Sequence, residues 1–168
     1  MLLTMDIATH TGEALKRHGL PVVAFGVEIP ALAVKVIPVE ASAVLTNRDG
    51  YEVTQHSMTL NVISEIGVGD GAAGKLRKYL ETAQHATSCF EEALGEALEC
   101  LGYDYTGITQ PTQAYDGGIA EGGGEVVGVS FAYTFYAVKK AAQKKEDEGE
   151  DENEEPAEQE NTGENGEG

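Results

Sequence analysis

Residues 4–18 (TMDIATHTGEALKRH) place apolar side chains at helical spacing. Thr4 is the predicted N-cap, Asp6 suits the positive end of the helix, and Lys16 and Arg17 suit the negative end. Gly19 follows as the closing residue and Pro21 blocks continuation. Residues 21–39 then hold two extended, β-branched stretches, PVVAFGV and LAVKVIPV, separated at Pro30. SAVLTNR leads into Asp49-Gly50, a dipeptide that favours tight hairpins. The return strand, 51–66, carries Val53, Met58, Leu60, Val62 and Ile66. Its two-residue alternation slips near Gln55–Ser57, which predicts a bulge there.

The long helix has the clearest pattern. Over 75–101, Leu76, Leu80, Ala83, Thr87, Phe90, Leu94, Leu98 and Leu101 recur at spacings of three and four, and Gly102 closes the run. Glu81, Glu91, Glu92, Glu96 and Glu99 fall on the opposite, solvated side. Residues 102–124 are rich in glycine, with Pro111 among them, and read as a loop long enough to serve as a partner-binding arm. In the final strand, 125–138, Val127, Val129, Phe131, Tyr133 and Phe135 alternate with Gly128, Ser130, Ala132 and Thr134. One face of that strand is expected under a helix, with the strand in the middle of its sheet. The predicted class is α+β: a mostly antiparallel sheet packed by a long amphipathic helix and a short N-terminal helix.

Charge divides the chain in two. The formal net charge is −18. Residues 146–168 hold 12 of the 29 acidic residues and no Lys or Arg, so 11 basic against 17 acidic residues leave the rest at −6. The predicted organisation is a domain over 1–140 and a disordered acidic tail over 141–168, because that composition buries too little apolar surface to offset the entropy of ordering. Three roles fit such a tail: a solubilising bristle, an electrostatic arm for a partner, or a mimic that competes with nucleic acid. An acidic domain repels phosphate at long range, which argues against wrapping nucleic acid and suits a wall past which DNA slides. Cys89 and Cys100 lie eleven residues apart on the predicted helix, about 16 Å. A disulfide needs Cα atoms within about 7 Å, so they are expected as free thiols in a reducing compartment. No apolar run approaches the ~18 residues of a membrane span and no export signal is evident, so synthesis is expected in the cytoplasm.

Residues Gly69–Lys75 match the G-x4-G-K spacing of a phosphate-binding loop, between a strand and a helix. The next position needs Ser or Thr to hold magnesium, and here it is Leu76. The plainer reading is a glycine-softened connection into a helix. His85 and Cys89 stand four apart on one helix face, but two ligands make a weak metal site and no third is evident. Ser42, Ser57, Ser64, Ser88 and Ser130 lack a nucleophile-elbow context. Cys89, in mid-helix, gains nothing from a helix N-terminus. Neither a catalytic constellation nor a cofactor or metal site is therefore expected. Tyr-rich and Gly-rich loops make good contact surfaces, because Tyr supplies rigid area with few rotors. The candidate contact residues are Arg48 and Tyr51 on the hairpin and Tyr103, Tyr105 and Tyr115 in the loop, with Ile108 and Ile119 beside them.

The order of elements resembles the tail terminator family among the head–tail joining (neck) proteins of long-tailed bacteriophages. The carrying pieces are the opening helix, the hairpin TNRDGYEVTQHSMTLNVISEIG, the helix LRKYLETAQHATSCFEEALGEALECL and the closing strand EVVGVSFAYTFYAV. The resemblance implies a structural virion protein without enzymatic activity. It implies a ring, expected to be a hexamer, that caps the tail tube, stops its polymerisation and joins it to the head connector. Its partners would be further copies of itself, the tail tube protein and connector proteins. DNA would pass through the lumen without specific binding. Two other classes are open on sequence: a monomeric protein-binding adaptor whose acidic tail masks a partner, and a nucleotide binder using Gly69–Lys75.

Overall fold

The structure, a computed structural model, describes residues 2–24, 31–46, 51–67, 69–119 and 124–139. Arg48, the Asp49-Gly50 turn and the acidic tail lie outside the described residues. Two helices, α1 (Leu2–Arg17) and α2 (Ala72–Cys100), cover one face of a five-stranded antiparallel sheet. Its strands are β1 (Leu32–Thr46), β2 (Glu52–Glu65), β3 (Tyr103–Thr106), β4 (Thr112–Ile119) and β5 (Glu125–Lys139). The class is α+β, and β5 is central as its alternation predicts. It pairs with β2 along one side, and with β4 and then β3 along the other.

The inward file of β5 is Val129, Phe131, Tyr133, Phe135 and Ala137, all buried. It meets His56, Met58, Leu60 and Val62 from β2 and the buried side of α2. Phe90 stacks on Tyr133 with ring centroids 4.0 Å apart. Above β1 and β2, α1 buries Ile7, Ala8, Ala14 and Leu15. The helices are joined at one end, where Arg17 contacts Glu96 at 2.6 Å and His85 Nε2 bonds the carbonyl of His18 at 3.0 Å.

Five sequence expectations need correction. Thr4 is not a cap: α1 begins at Leu2, and Thr4 is fully buried, sharing a 2.9 Å hydrogen bond with His56 Nδ1. The stretches LAVKVIPV and SAVLT are one strand, while of PVVAFGV only Val22 forms a bridge, parallel to Val34, and residues 25–27 lie outside the described set. The bulge near Gln55–Ser57 belongs to the partner strand. Register shifts leave Val39 and Ala43 of β1 unpaired, opposite an unbroken β2. The apparent slip in β2 arises because His56 holds an inward position that hydrophobicity alone does not mark, while Val53 faces the other side. The stripe of α2 is also displaced at its start, where Tyr79 is buried and Leu76 and Leu80 are exposed. The supposed loop 102–124 forms β3 and β4, because the second edge of β5 needs partners for its backbone polar groups. Gly107, at φ 66, and Pro111 fall in the break between them.

Removing the fully buried Phe90 ring strips the stack from Tyr133 and opens a cavity between helix and sheet. Phe90→Ala is expected to cost about 3–5 kcal/mol, read as a lower urea midpoint; a loss under about 1 kcal/mol would show that the stack does not hold the layers together.

His56 yields a second expectation. It is 1% exposed, stacks on Phe135 at 5.5 Å, and its Nε2 has no hydrogen-bond partner. Burial disfavours the imidazolium and lowers its pKa from 6.5. The unfolded chain therefore takes up this proton at higher pH than the folded one. Stability is complete above about 6.5, declines as pH falls below it, and stops declining only beneath the folded-state pKa. Urea melts across pH 8 to 5 are expected to show this decline, and the Thr4→Val/His56→Leu pair to flatten it. Identical slopes in the two proteins would refute the assignment.

Candidate interaction surface

The five residues proposed for contacts separate into different roles. Arg48 lies outside the described residues. Tyr51 precedes β2 and is exposed. Tyr103 and Tyr105 pair opposite Lys139 and Ala137 and pack against the core. The Tyr105 ring lies over Gly95 of α2, where a Cβ would meet it at 3.3 Å. Its hydroxyl donates to Glu91 at 3.0 Å. Burial, then the Glu91 carboxylate, raises its pKa. These two tyrosines anchor β3 to α2.

Tyr115 is different. It stands on β4 opposite Val129, 73% exposed, and Gln113 donates to its hydroxyl. Every residue of β4 is exposed. The strand pairs only with β5, so among the described residues its outer edge carries unpaired backbone groups. It has neither bulge, internal proline nor lysine, the devices by which soluble proteins blunt such edges. The other edge of the sheet is guarded. β1 carries Pro38 and two bulges, and residues 21–23 bond across Val34.

The first half of α2 exposes Leu76 and Leu80, which helical spacing places on one stripe with Gln84, Thr87 and Glu91. Further along, that stripe and residues Ile108–Pro111 face each other across a groove floored by Tyr133. Burial pushes the Tyr133 hydroxyl up to about 12. Tyr79, only 3% exposed, has a hydroxyl without a hydrogen-bond partner. Its pKa is raised by burial and then by Tyr115. Sequence reading missed Tyr79 because the leucines either side of it carry the stronger hydrophobic signal. The spacing from Tyr79 to Ala83, Ala86 and Phe90 was the signal for it.

The phosphate-loop spacing does not become a loop. The helix starts at Ala72, so Gly74 and Lys75 lie in its first turn, and the strand before it runs antiparallel to its neighbours. Lys75 folds back towards Gly67. His85 and Cys89 approach to 3.6 Å, with His85 committed to the end of α1. One trio, His18, Glu92 and Glu96, brings potential ligand atoms within 4.8 Å of one another. The Arg17 guanidinium bonds Glu96 Oε2, and that hydrogen bond holds the Glu96 carboxyl below its usual pKa. Among the described residues, the arrangement leaves the eight-residue β4 edge unpaired, with Tyr115 exposed on that strand and Leu76 and Leu80 exposed on α2. No protein-family model matches the chain, and no curated protein matches it in sequence.

The two kinds of tyrosine are separable by stability. Tyr105→Ala, which strips a packed anchor, is expected to lower stability by about 2–3 kcal/mol, whereas Tyr115→Ala should stay within about 0.5 kcal/mol. Thermal melts of both variants decide it, and equal losses would mean that Tyr115 is also an anchor.

Proposed function

We propose that this chain is a structural virion assembly protein, a tail terminator, that works without catalysis. Copies join head to tail into a ring, with six-fold as the expected order. The ring seats on the end of the tail tube, stops its growth and presents a surface to the head connector. The observation that carries this reading is the open edge of β4, eight residues long and exposed throughout. An unblunted edge in a stable domain invites another chain. In this reading the open edge of β4 meets a different surface of the next copy, and such heterologous contacts give rings when the rotation closes. The net −6 of the residues before 146 suits a lumen through which DNA passes without adhering.

The test is size-exclusion chromatography with light scattering on the full chain, alone and mixed with tail tubes, with negative-stain imaging of the product. A closed ring, free or on tube ends, is the expected result. Tyr115→Lys, which puts a charge beside the open edge, should abolish it without lowering the melting temperature. A chain that stays monomeric at every concentration and leaves tube growth unchanged would end the reading in favour of a monomeric adaptor.

A further inference from the structure

The seam where the end of α1 meets α2 is lined by side chains that ligate metals. On α2, His85, Cys89, Glu92 and Glu96 follow at spacings of four, three and four, which sets them on one stripe of the helix. That stripe meets His18, just past the end of α1. The N–H of His18 donates to the carbonyls of Ala14 and Leu15, and its own carbonyl accepts from His85 Nε2. Its backbone is thus pinned to both helices. The ring is a quarter exposed, with Nε2 3.6 Å from Glu96 Oε1.

Three of these groups converge. His18 Nε2 and one carboxylate oxygen each of Glu92 and Glu96 lie within 4.8 Å of one another. Zn²⁺ holds imidazole nitrogen and carboxylate oxygen at about 2.0–2.2 Å in a tetrahedron, whose corners are then about 3.3–3.6 Å apart. The His18–Glu96 separation already matches, and the exposed Glu92 side chain has room to close the remainder. Arg17 does not consume the site. It takes Glu96 Oε2 at 2.6 Å and leaves Oε1 facing His18. A carboxylate bonded through one oxygen is oriented to ligate with the other. Among the described residues, Glu92 makes no salt bridge. Two carboxylates four apart on a helix repel, and Arg17 offsets only one of them. The nearby end of α1 adds the partial negative charge of a helix C-terminus. Sequence places the two glutamates on a solvated face; the fold brings a histidine to them.

We propose that His18, Glu92 and Glu96 bind one Zn²⁺, with water completing the tetrahedron, and that the ion staples the end of α1 to α2. A nitrogen ligand beside two carboxylates selects Zn²⁺ over Ca²⁺ and Mg²⁺, which oxygen ligands hold. The site uses no residue of β4 and stands whether or not the ring forms.

The probe is zinc chloride titrated calorimetrically into the metal-free full chain, with calcium chloride as the control for the acidic surface. One saturable Zn²⁺ site is expected, with a raised melting temperature and no matching response to Ca²⁺. Glu92→Gln, a change at an exposed position, should weaken Zn²⁺ binding at least tenfold and leave the metal-free melting temperature unchanged. His18→Ala should weaken binding as much. Zn²⁺ affinity unchanged in either variant, an equal response to Ca²⁺, or no saturable binding would overturn the proposal and leave an adventitious ion only. Binding lost in Cys89→Ser but kept in His18→Ala would move the ion to the His85–Cys89 pair and overturn the choice of ligands.

Discussion

β5 needs a hydrogen-bonded neighbour on both sides while burying every second side chain, and most of the molecule follows from meeting those two demands. Its inward file of Val129, Phe131, Tyr133, Phe135 and Ala137 calls for a long apolar cover, which α2 supplies with Phe90 against Tyr133. Its backbone calls for β2 along one edge and two shorter strands along the other. A central strand of fifteen residues cannot be partnered by β3 alone, which has four. The chain therefore turns at Gly107 and continues as β4.

That solution moves the unpaired edge outward. In the half of β5 opposite β4, sheet hydrogen bonding stops at a strand with no residue buried. β3 is fixed by Tyr103 and Tyr105 packed on the core and by the Tyr105–Glu91 hydrogen bond. β4 has backbone pairing but little side-chain burial of its own. Its sequence, TQAYDGGI, carries a single charge. Such a strand persists because its own neighbour holds it on one side, while among the described residues the backbone groups of its free side stay unpaired.

Element type and order were legible in the sequence because periodicity is strong where one face is buried: the stripe from Ala83 to Leu98 and the alternation from Val127 to Phe135 both hold. The errors fall where polarity and burial part company. Thr4 and His56 are polar and buried, joined by one hydrogen bond, so a hydrophobic pattern reads one as a cap and the other as a break. Leu76 and Leu80 are apolar and exposed, so the pattern places them inside. The residues 102–124 read as a loop because their pairing depends on a strand that follows them in sequence, and local composition carries no record of a distant partner. The exposure of the candidate contact residues was only half legible: Tyr115 is exposed on β4, whereas Tyr103 and Tyr105 pack against the core.

The distribution of charge sets the exposed, sparsely charged strand apart. Carboxylates are spread over the outer side of α2 and concentrated in residues 146–168. A chain at −18 resists non-specific association, because like copies repel before short-range contacts form. Against that background, an approaching chain meets least repulsion where acidic groups are sparse, and from Tyr105 to Gly124 there are only Asp116 and Glu121. In the proposed assembly, repulsion elsewhere and an uncommitted strand edge here would together direct association to one side of the molecule. Neither would do so alone: an open edge in a neutral protein invites indiscriminate pairing, and an acidic surface without an edge invites none.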